Sequence, residues 1–170
     1  MEEPIGFCGD DWPWEAVLEK FPEKGTLLEV GAGLGLSTSR WAKNLPNFKI
    51  HTVDIAEGGQ FPGKFFTAEE QLKSINEVVQ KYENLSFTKG DFAEVKLPKM
   101  FETPDVFFYD GHHGLKETRD ALFRFHDTNL IIVDDCQFDW VKKEVLLFAE
   151  KTSRNFNILK TKNLEVAVIQ

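Results

Sequence analysis

Leu27-Leu28-Glu29-Val30-Gly31-Ala32-Gly33-Leu34-Gly35 is an apolar run that ends in three glycines at alternate positions. A helix-like segment follows, from Leu36 to about Leu45. The order is that of a buried strand, a tight turn and a helix N-terminus. Glycine is required where the backbone turns sharply or a ligand comes close, because a Cβ would clash. Just past the carboxyl end of a parallel strand, such a turn is the usual nucleotide-binding spot of a doubly wound α/β sheet. One glycine suffices for a turn that binds nothing; three favour a ligand. The dinucleotide fingerprint is G-x-G-x-x-G, and here Leu36 stands where its last glycine would be, which argues against a nicotinamide dehydrogenase. No G-K-[ST] follows, so the turn is not a P-loop.

Outward from this turn, apolar strands and amphipathic segments alternate, the pattern of a parallel sheet covered by helices on both faces. Strands are expected at 27–31, 49–55, 85–89, 105–110 and 130–135. Two more, Phe156 to Leu159 and Leu164 to Ile169, flank a short Lys/Asn turn and read as an antiparallel hairpin. The expected fold is therefore α/β, a doubly wound, mostly parallel seven-stranded sheet closed by a C-terminal hairpin. Thr67 with Glu70 reads as a capping box. The helix it opens carries Leu72, Ile75, Val78, Val79 and Tyr82 on one face. Further helices are expected from about Leu115 to His126 and from Trp140 to Lys151. Gly58, Gly59, Pro62 and Gly63 mark 57–64 as a loop. With Phe61, Phe65 and Phe66, the 57–66 segment is suited to fold over a bound ligand.

The chain has 170 residues, the size of one domain, and 42% hydrophobic content is enough for a core. No apolar stretch approaches the roughly 18 residues that span a membrane. The acidic start, MEEPIGFCGDDW, lacks the features of a signal peptide, so a cytoplasmic protein is expected. Net charge is −8 with Lys and Arg scattered, which disfavours a nucleic-acid partner. Cys8 and Cys136 show no metal-ligand spacing and are expected to be reduced thiols. Residues 1–25 precede the first strand; Phe7, Trp12 and Trp14 make them a candidate cover for a site, or a helix packed on the sheet.

Glu29, Asp54, Asp91, Asp110, Asp134 and Asp135 all fall at or near strand ends on one sheet edge. That edge is where open α/β sheets bind ligands. Asp54, ending the second strand, is placed to accept from both ribose hydroxyls of a nucleoside. Asp91 is equally suited to cap the turn that follows it. Asp110, Asp134 and Asp135 end strands that such a sheet sets side by side. Three converging carboxylates would repel one another unless a cation sat among them. Carboxylate oxygens suit Mg²⁺.

The E-x-G-x-G-x-G run at Glu29–Gly35 resembles motif I of the class I S-adenosylmethionine-dependent methyltransferases, and the expected layout covers about residues 25–170. The resemblance implies S-adenosylmethionine as cofactor, held by Glu29, Gly31, Ala32 and Gly33. It implies Asp54 on the ribose, Ile55 on the adenine, and Asp91 with Phe92 as further adenine contacts. Asp110 would bind the cofactor's amino acid end. The [DN]-P-P-[YFW] motif of amino-group methylation is absent; the fourth strand ends Asp110-Gly111-His112-His113 instead.

Tyr109-Asp110-Gly111-His112-His113 followed by Val133-Asp134-Asp135 resembles the metal-dependent small-molecule O-methyltransferases of the macrocin and cephalosporin hydroxylase-like type. Their "-DGDHSYE-" and "-VDD-" motifs imply Asp110, Asp134 and Asp135 as metal ligands that orient the acceptor, Asp110 thereby a catalytic candidate, and His113 as the family's histidine. His112 replaces the second acid of that motif and is the candidate base, its ordinary pKa near 6.5 suiting proton transfer near neutrality. The resemblance implies methyl transfer to an oxygen of a small-molecule acceptor, with Mg²⁺ assisting. Only about 26 residues precede the first strand, so an open acceptor site would suit a large substrate, or another subunit of a homo-oligomer would close it. A second reading is an S-adenosylmethionine-binding sensor or assembly domain without catalysis.

Overall fold

The structure, a computed structural model, describes residues 11–61, 64–112 and 114–170. Helix α1 (Trp14–Leu18) precedes strand β1 (Gly25–Val30), helix α2 (Leu36–Asn44) and strand β2 (Phe48–Asp54). Strands β3 (Gly58–Phe61) and β4 (Lys64–Thr67) lead into helix α3 (Ala68–Lys81). Strand β5 (Leu85–Lys89), a 3₁₀ turn (Lys99–Phe101), β6 (Val106–Tyr109) and α4 (Leu115–Arg124) follow. The chain finishes with β7 (Leu130–Val133), α5 (Asp139–Thr152), β8 (Phe156–Lys160) and β9 (Glu165–Ile169).

Seven strands form one sheet in the order β5-β2-β1-β6-β7-β9-β8. The first five run parallel, and β9 is antiparallel to both β7 and β8. The mostly parallel sheet and its terminal hairpin thus form as the sequence pattern predicts. Chain direction across the sheet reverses between β1 and β6, where crossovers leave toward opposite edges. That switch point is where a crevice opens in folds of this kind. Strands β6 and β7 are buried at every residue, as parallel strands covered on both faces must be.

Each face has its own core. One packs Phe107, Ile131 and Val133 against Leu122 of α4, Phe125 just past its end, and Val145 and Phe148 of α5. The other packs Leu27, Phe108 and Ile132 against Trp41 of α2, Val17 of α1 and Trp12. Trp12 and Trp14 meet Trp41 at ring separations of 5.5 and 4.7 Å. Only 2% of Trp12 is exposed. Burying an aromatic of this size contributes about 2–3 kcal/mol, which fixes the described part of the N-terminal segment on the sheet face. The cover expected from residues 1–25 is therefore not formed by residues 11–25, none of which lines the site described below. Phe7 and Cys8 lie outside the described residues. Cys136 is a buried free thiol whose pKa burial pushes up to about 12.

The expected loop at 57–64 is instead an antiparallel ribbon, with Gly58 opposite Thr67 and Gln60 opposite Phe65. Its glycines read as turn signals, yet Gly58 and Gly59 pair across to Thr67 and Phe66 of β4. Pro62 and Gly63 lie outside the described residues. The capping box at Thr67 forms as expected: Thr67 Oγ1 accepts from Glu70 N, and Glu70 Oε2 accepts from Thr67 N.

Candidate functional site

The carboxyl ends of β1, β2, β5, β6 and β7 open into one cleft of about 1100 Å³. The ladder continues one residue past the strands and brings their ends level. Gly31 N donates to Val53 O, Asp110 N to Val30 O, and Asp134 N to Tyr109 O, at 2.8–3.0 Å. Gly31, Ala32, Gly33, Asp54, Ile55, Asp91, Phe92, Asp110, His112 and Asp135 all line this cleft. The structure therefore gathers most of the residues singled out from the sequence.

The glycine turn is built from two close approaches within the protein. A Cβ on Gly31 would lie 1.9 Å from the Asp110 carbonyl oxygen, and Gly31 has φ +95°. The β1 and β6 turns can touch only because one lacks a side chain. Gly35, with φ +84°, sits where a Cβ would meet Val78 of α3 at 3.1 Å. It lets α3 back the turn. Gly35 is also the N-cap of α2 and offers no side-chain cap, and no acidic residue occupies the first turn. Leu36 and Ser37, at that N-terminus, line the cleft. An uncapped helix start with free amide dipoles suits a carboxylate or phosphate.

Glu29 is not in the cleft. It is fully buried behind the turn, where Ser37 Oγ and Thr38 Oγ1 each donate to its carboxylate at 2.6 Å. It ties the start of α2 to β1. Burial raises its pKa from 4.5 to about 7, outweighing the hydroxyls of Ser37, Thr38 and Thr52 that favour the ionised form. Its expected place as a cofactor contact is corrected to one of holding the turn that makes the contact.

Asp54 is bonded on both oxygens. Oδ2 accepts from Gly33 N at 2.9 Å; Oδ1 accepts from Ala56 N at 2.7 Å and from Gln71 Nε2 at 3.0 Å. Ile55 beside it is 46% exposed, an apolar plate at the cleft edge. Asp91 caps the turn after β5, accepting from Ala93 N at 2.8 Å. Phe92 stacks toward Phe107 and carries the Arg124 guanidinium 4.7 Å over its ring.

The acids at the ends of β6 and β7 part company. Asp134 is buried, and its Oδ2 accepts from the Trp12 indole at 3.1 Å on the far face of the sheet, while Oδ1 accepts from Asp135 N. Asp135 turns the other way, into the cleft, through a left-handed φ of +58°. Gln137 Nε2 donates to its Oδ1. The two acids lie just past the end of β7, and the left-handed turn at Asp135 sends them to opposite sides. The expected ligand set of Asp110, Asp134 and Asp135 is thus corrected: Asp134 is withdrawn. Among the described residues no group of three His, Cys, Asp or Glu is placed to hold a metal. Mg²⁺ requires a near-octahedral oxygen shell, and the donors present do not fit it. His112 is exposed at the cleft, and its carbonyl accepts from the Tyr109 hydroxyl at 2.7 Å. His113 lies outside the described residues.

Sequence reading missed Gln71, Lys116 and Glu117, which line the cleft together with Gln60 and Phe66 of the 57–66 segment expected to fold over a ligand. Gln71 alone carried a signal. It falls four residues before Ile75 and seven before Val78, a polar residue in phase with a buried helix face.

No family model matches the sequence, and no curated protein matches it. Solved structures do resemble the fold. A precorrin-6y C5,15-methyltransferase from Geobacter metallireducens GS-15 superposes with a TM-score of 0.65 at 17% identity, over 92% of this chain and 86% of that one. A ribosomal protein L11 methylase from Lactobacillus delbrueckii subsp. bulgaricus gives 0.64 at 12% identity, over 92% and 75%. A SAM dependent methyltransferase from Aquifex aeolicus gives 0.61 at 20% identity, over 91% and 87%. This is the Rossmann-like methyltransferase fold. Within the methyltransferase fold, the cleft described above lies at the strand ends where the sheet order reverses. No helix among the described residues is long and apolar enough to cross a membrane.

Proposed function

We propose that the chain is an S-adenosylmethionine-dependent methyltransferase acting on an oxygen of a small-molecule acceptor. One observation carries the reading: an uncapped helix N-terminus, a glycine turn and an oriented carboxylate at the next strand end face a single cleft. The residues fit the cofactor. The main chain of Gly31, Ala32 and Gly33 with the start of α2 would take its carboxylate, and Asp110 its ammonium group. Asp54 would hold the ribose. Ile55, Asp91 and Phe92 would border the adenine. When bound, the cofactor supplies an electrophilic methyl on a sulfonium.

The protein's own part is positioning and proton handling. His112, exposed at the cleft, takes the proton from the acceptor hydroxyl as the oxygen attacks. Asp135, held by Gln137, orients the acceptor by hydrogen bonding. Mg²⁺ is left out of this reading, because Asp134 faces Trp12. Acceptors as different as a precorrin and a ribosomal protein are named for proteins of this fold, so the fold does not choose among them. The preference for a small acceptor rests on the net charge of −8 and the absence of a basic cluster in the sequence.

Isothermal titration with S-adenosylmethionine and S-adenosylhomocysteine tests the cofactor. Saturable binding at micromolar concentrations is expected; no heat with either would overturn the assignment. Methyl transfer to a panel of small hydroxyl compounds tests the reaction. Binding without transfer across the panel would leave a cofactor-binding domain.

A further inference from the structure

Gln71 makes more bonds inside the cleft than its place on a helix would require. Its side chain is 4% exposed although α3 opens at the surface with Glu69 and Glu70. Nε2 donates to Gly33 O and to Asp54 Oδ1, both at 3.0 Å. Oε1 accepts from Gly58 N at 2.9 Å. The three partners fix which end of the amide is nitrogen, since one is an N–H and the others are oxygens. One side chain therefore joins the glycine turn, the acid at the end of β2 and the first residue of the β3–β4 ribbon. Ser74, three residues on, donates to Leu34 O at 2.7 Å and secures the same turn.

The bonds leave a definite vacancy. A carboxylate has about four acceptor positions, two per oxygen. On Asp54, Ala56 N and Gln71 Nε2 take those of Oδ1, and Gly33 N takes one of Oδ2. Among the described residues, these bonds leave a position on Oδ2 for a ligand.

We infer that Gln71 is a positioning residue for the nucleoside: it fixes the Asp54 carboxylate so that one acceptor position faces the cleft, and it pins the β3–β4 ribbon as the cleft wall beside it. The inference rests on the cofactor reading above. Gly58, Gly59, Gln60 and Phe66 of the ribbon line the cleft, so losing the Gln71–Gly58 bond loosens that wall as well.

The test compares wild type with Gln71→Glu and Gln71→Met by titration with S-adenosylhomocysteine at about pH 8 and about pH 5.5, with circular dichroism to verify folding. In Gln71→Glu a carboxylate replaces the amide against Asp54 and the Gly33 carbonyl, and like charges in contact repel. The carboxylates bearing on that position are Asp54, which touches it, and Glu29 behind the turn; both are present in wild type, which supplies the baseline at each pH. Affinity is expected to fall about tenfold at pH 8 and to return toward wild type at pH 5.5, where the protonated acid can donate again. Gln71→Met, uncharged and of similar length, is expected to lose about tenfold at both pH values, and it carries the test should the charged variant not fold. Both variants within about twofold of wild type at pH 8, or a Gln71→Glu loss identical at both pH values, would overturn the inference. Wild type that fails to bind at all would instead overturn the cofactor reading.

Discussion

The two halves of the cleft are built differently. Under β1 and β2, polar side chains are spent on the protein itself: Glu29 on Ser37 and Thr38, Asp54 on Gly33, Ala56 and Gln71. Beyond β6, His112, Lys116, Glu117 and Asp120 are exposed, and Lys116 pairs with Asp120 on its own helix. The first half is preorganised, which lowers the ordering cost of binding a fixed ligand. The second leaves its side chains adjustable, as suits a site where the partner differs from protein to protein while the fold stays the same.

Substitutions can break that contrast, the largest effect coming at the seam. Gly31→Ala drives a methyl into the Asp110 carbonyl at a left-handed φ, so a loss of at least about 3 kcal/mol is expected from urea unfolding. Unchanged stability would mean that the two turns do not touch.

Glu29 probes the wired half by pH. Its folded pKa is raised, so its contribution is full below about pH 4.5 and disappears as pH rises through about 7. Relative to Glu29→Gln, which cannot titrate, wild type should lose on the order of 3 kcal/mol between about pH 4.5 and about pH 8. Denaturation curves of the two proteins that stay parallel across that window would sink the account of a neutral buried acid.

Asp54→Ala removes a carboxylate that the cofactor reading places on the ribose. S-adenosylhomocysteine affinity is expected to fall about 30-fold, the worth of one charge-assisted hydrogen bond. Asp135→Ala probes the acceptor half at its buried edge, where Gln137 holds the carboxylate. There the expected loss is about tenfold in kcat/KM for the acceptor, with S-adenosylhomocysteine affinity held within about twofold. A variant of Asp135 that lost cofactor affinity instead would erase the distinction between the halves.

Much of this was legible in the chain because it is local. The run from Leu27 to Gly35, the fully apolar β6 and β7, and the Thr67–Glu70 box each announce their structure within a few residues. The acids at strand ends were legible as a set. Which of them face the cleft was not. Asp134 and Asp135 are neighbours in sequence, and the partner that claims Asp134 is the Trp12 indole, 122 residues away. The ribbon at 58–67 was hidden for a related reason: its glycines and proline carry turn signals, and its pairing is seen only when the two strands meet.

Sequence alone determined the architecture and the position of the cleft. Hydrophobic period and glycine placement act through backbone sterics and burial, and these need no distant partner. Tertiary structure decided the titration and direction of the individual polar groups: Glu29 raised in pKa behind the turn, Asp134 turned to the core, Asp54 held by Gln71. Those outcomes depend on which donors and how much water surround each carboxylate, and the surroundings exist only once separate elements have packed.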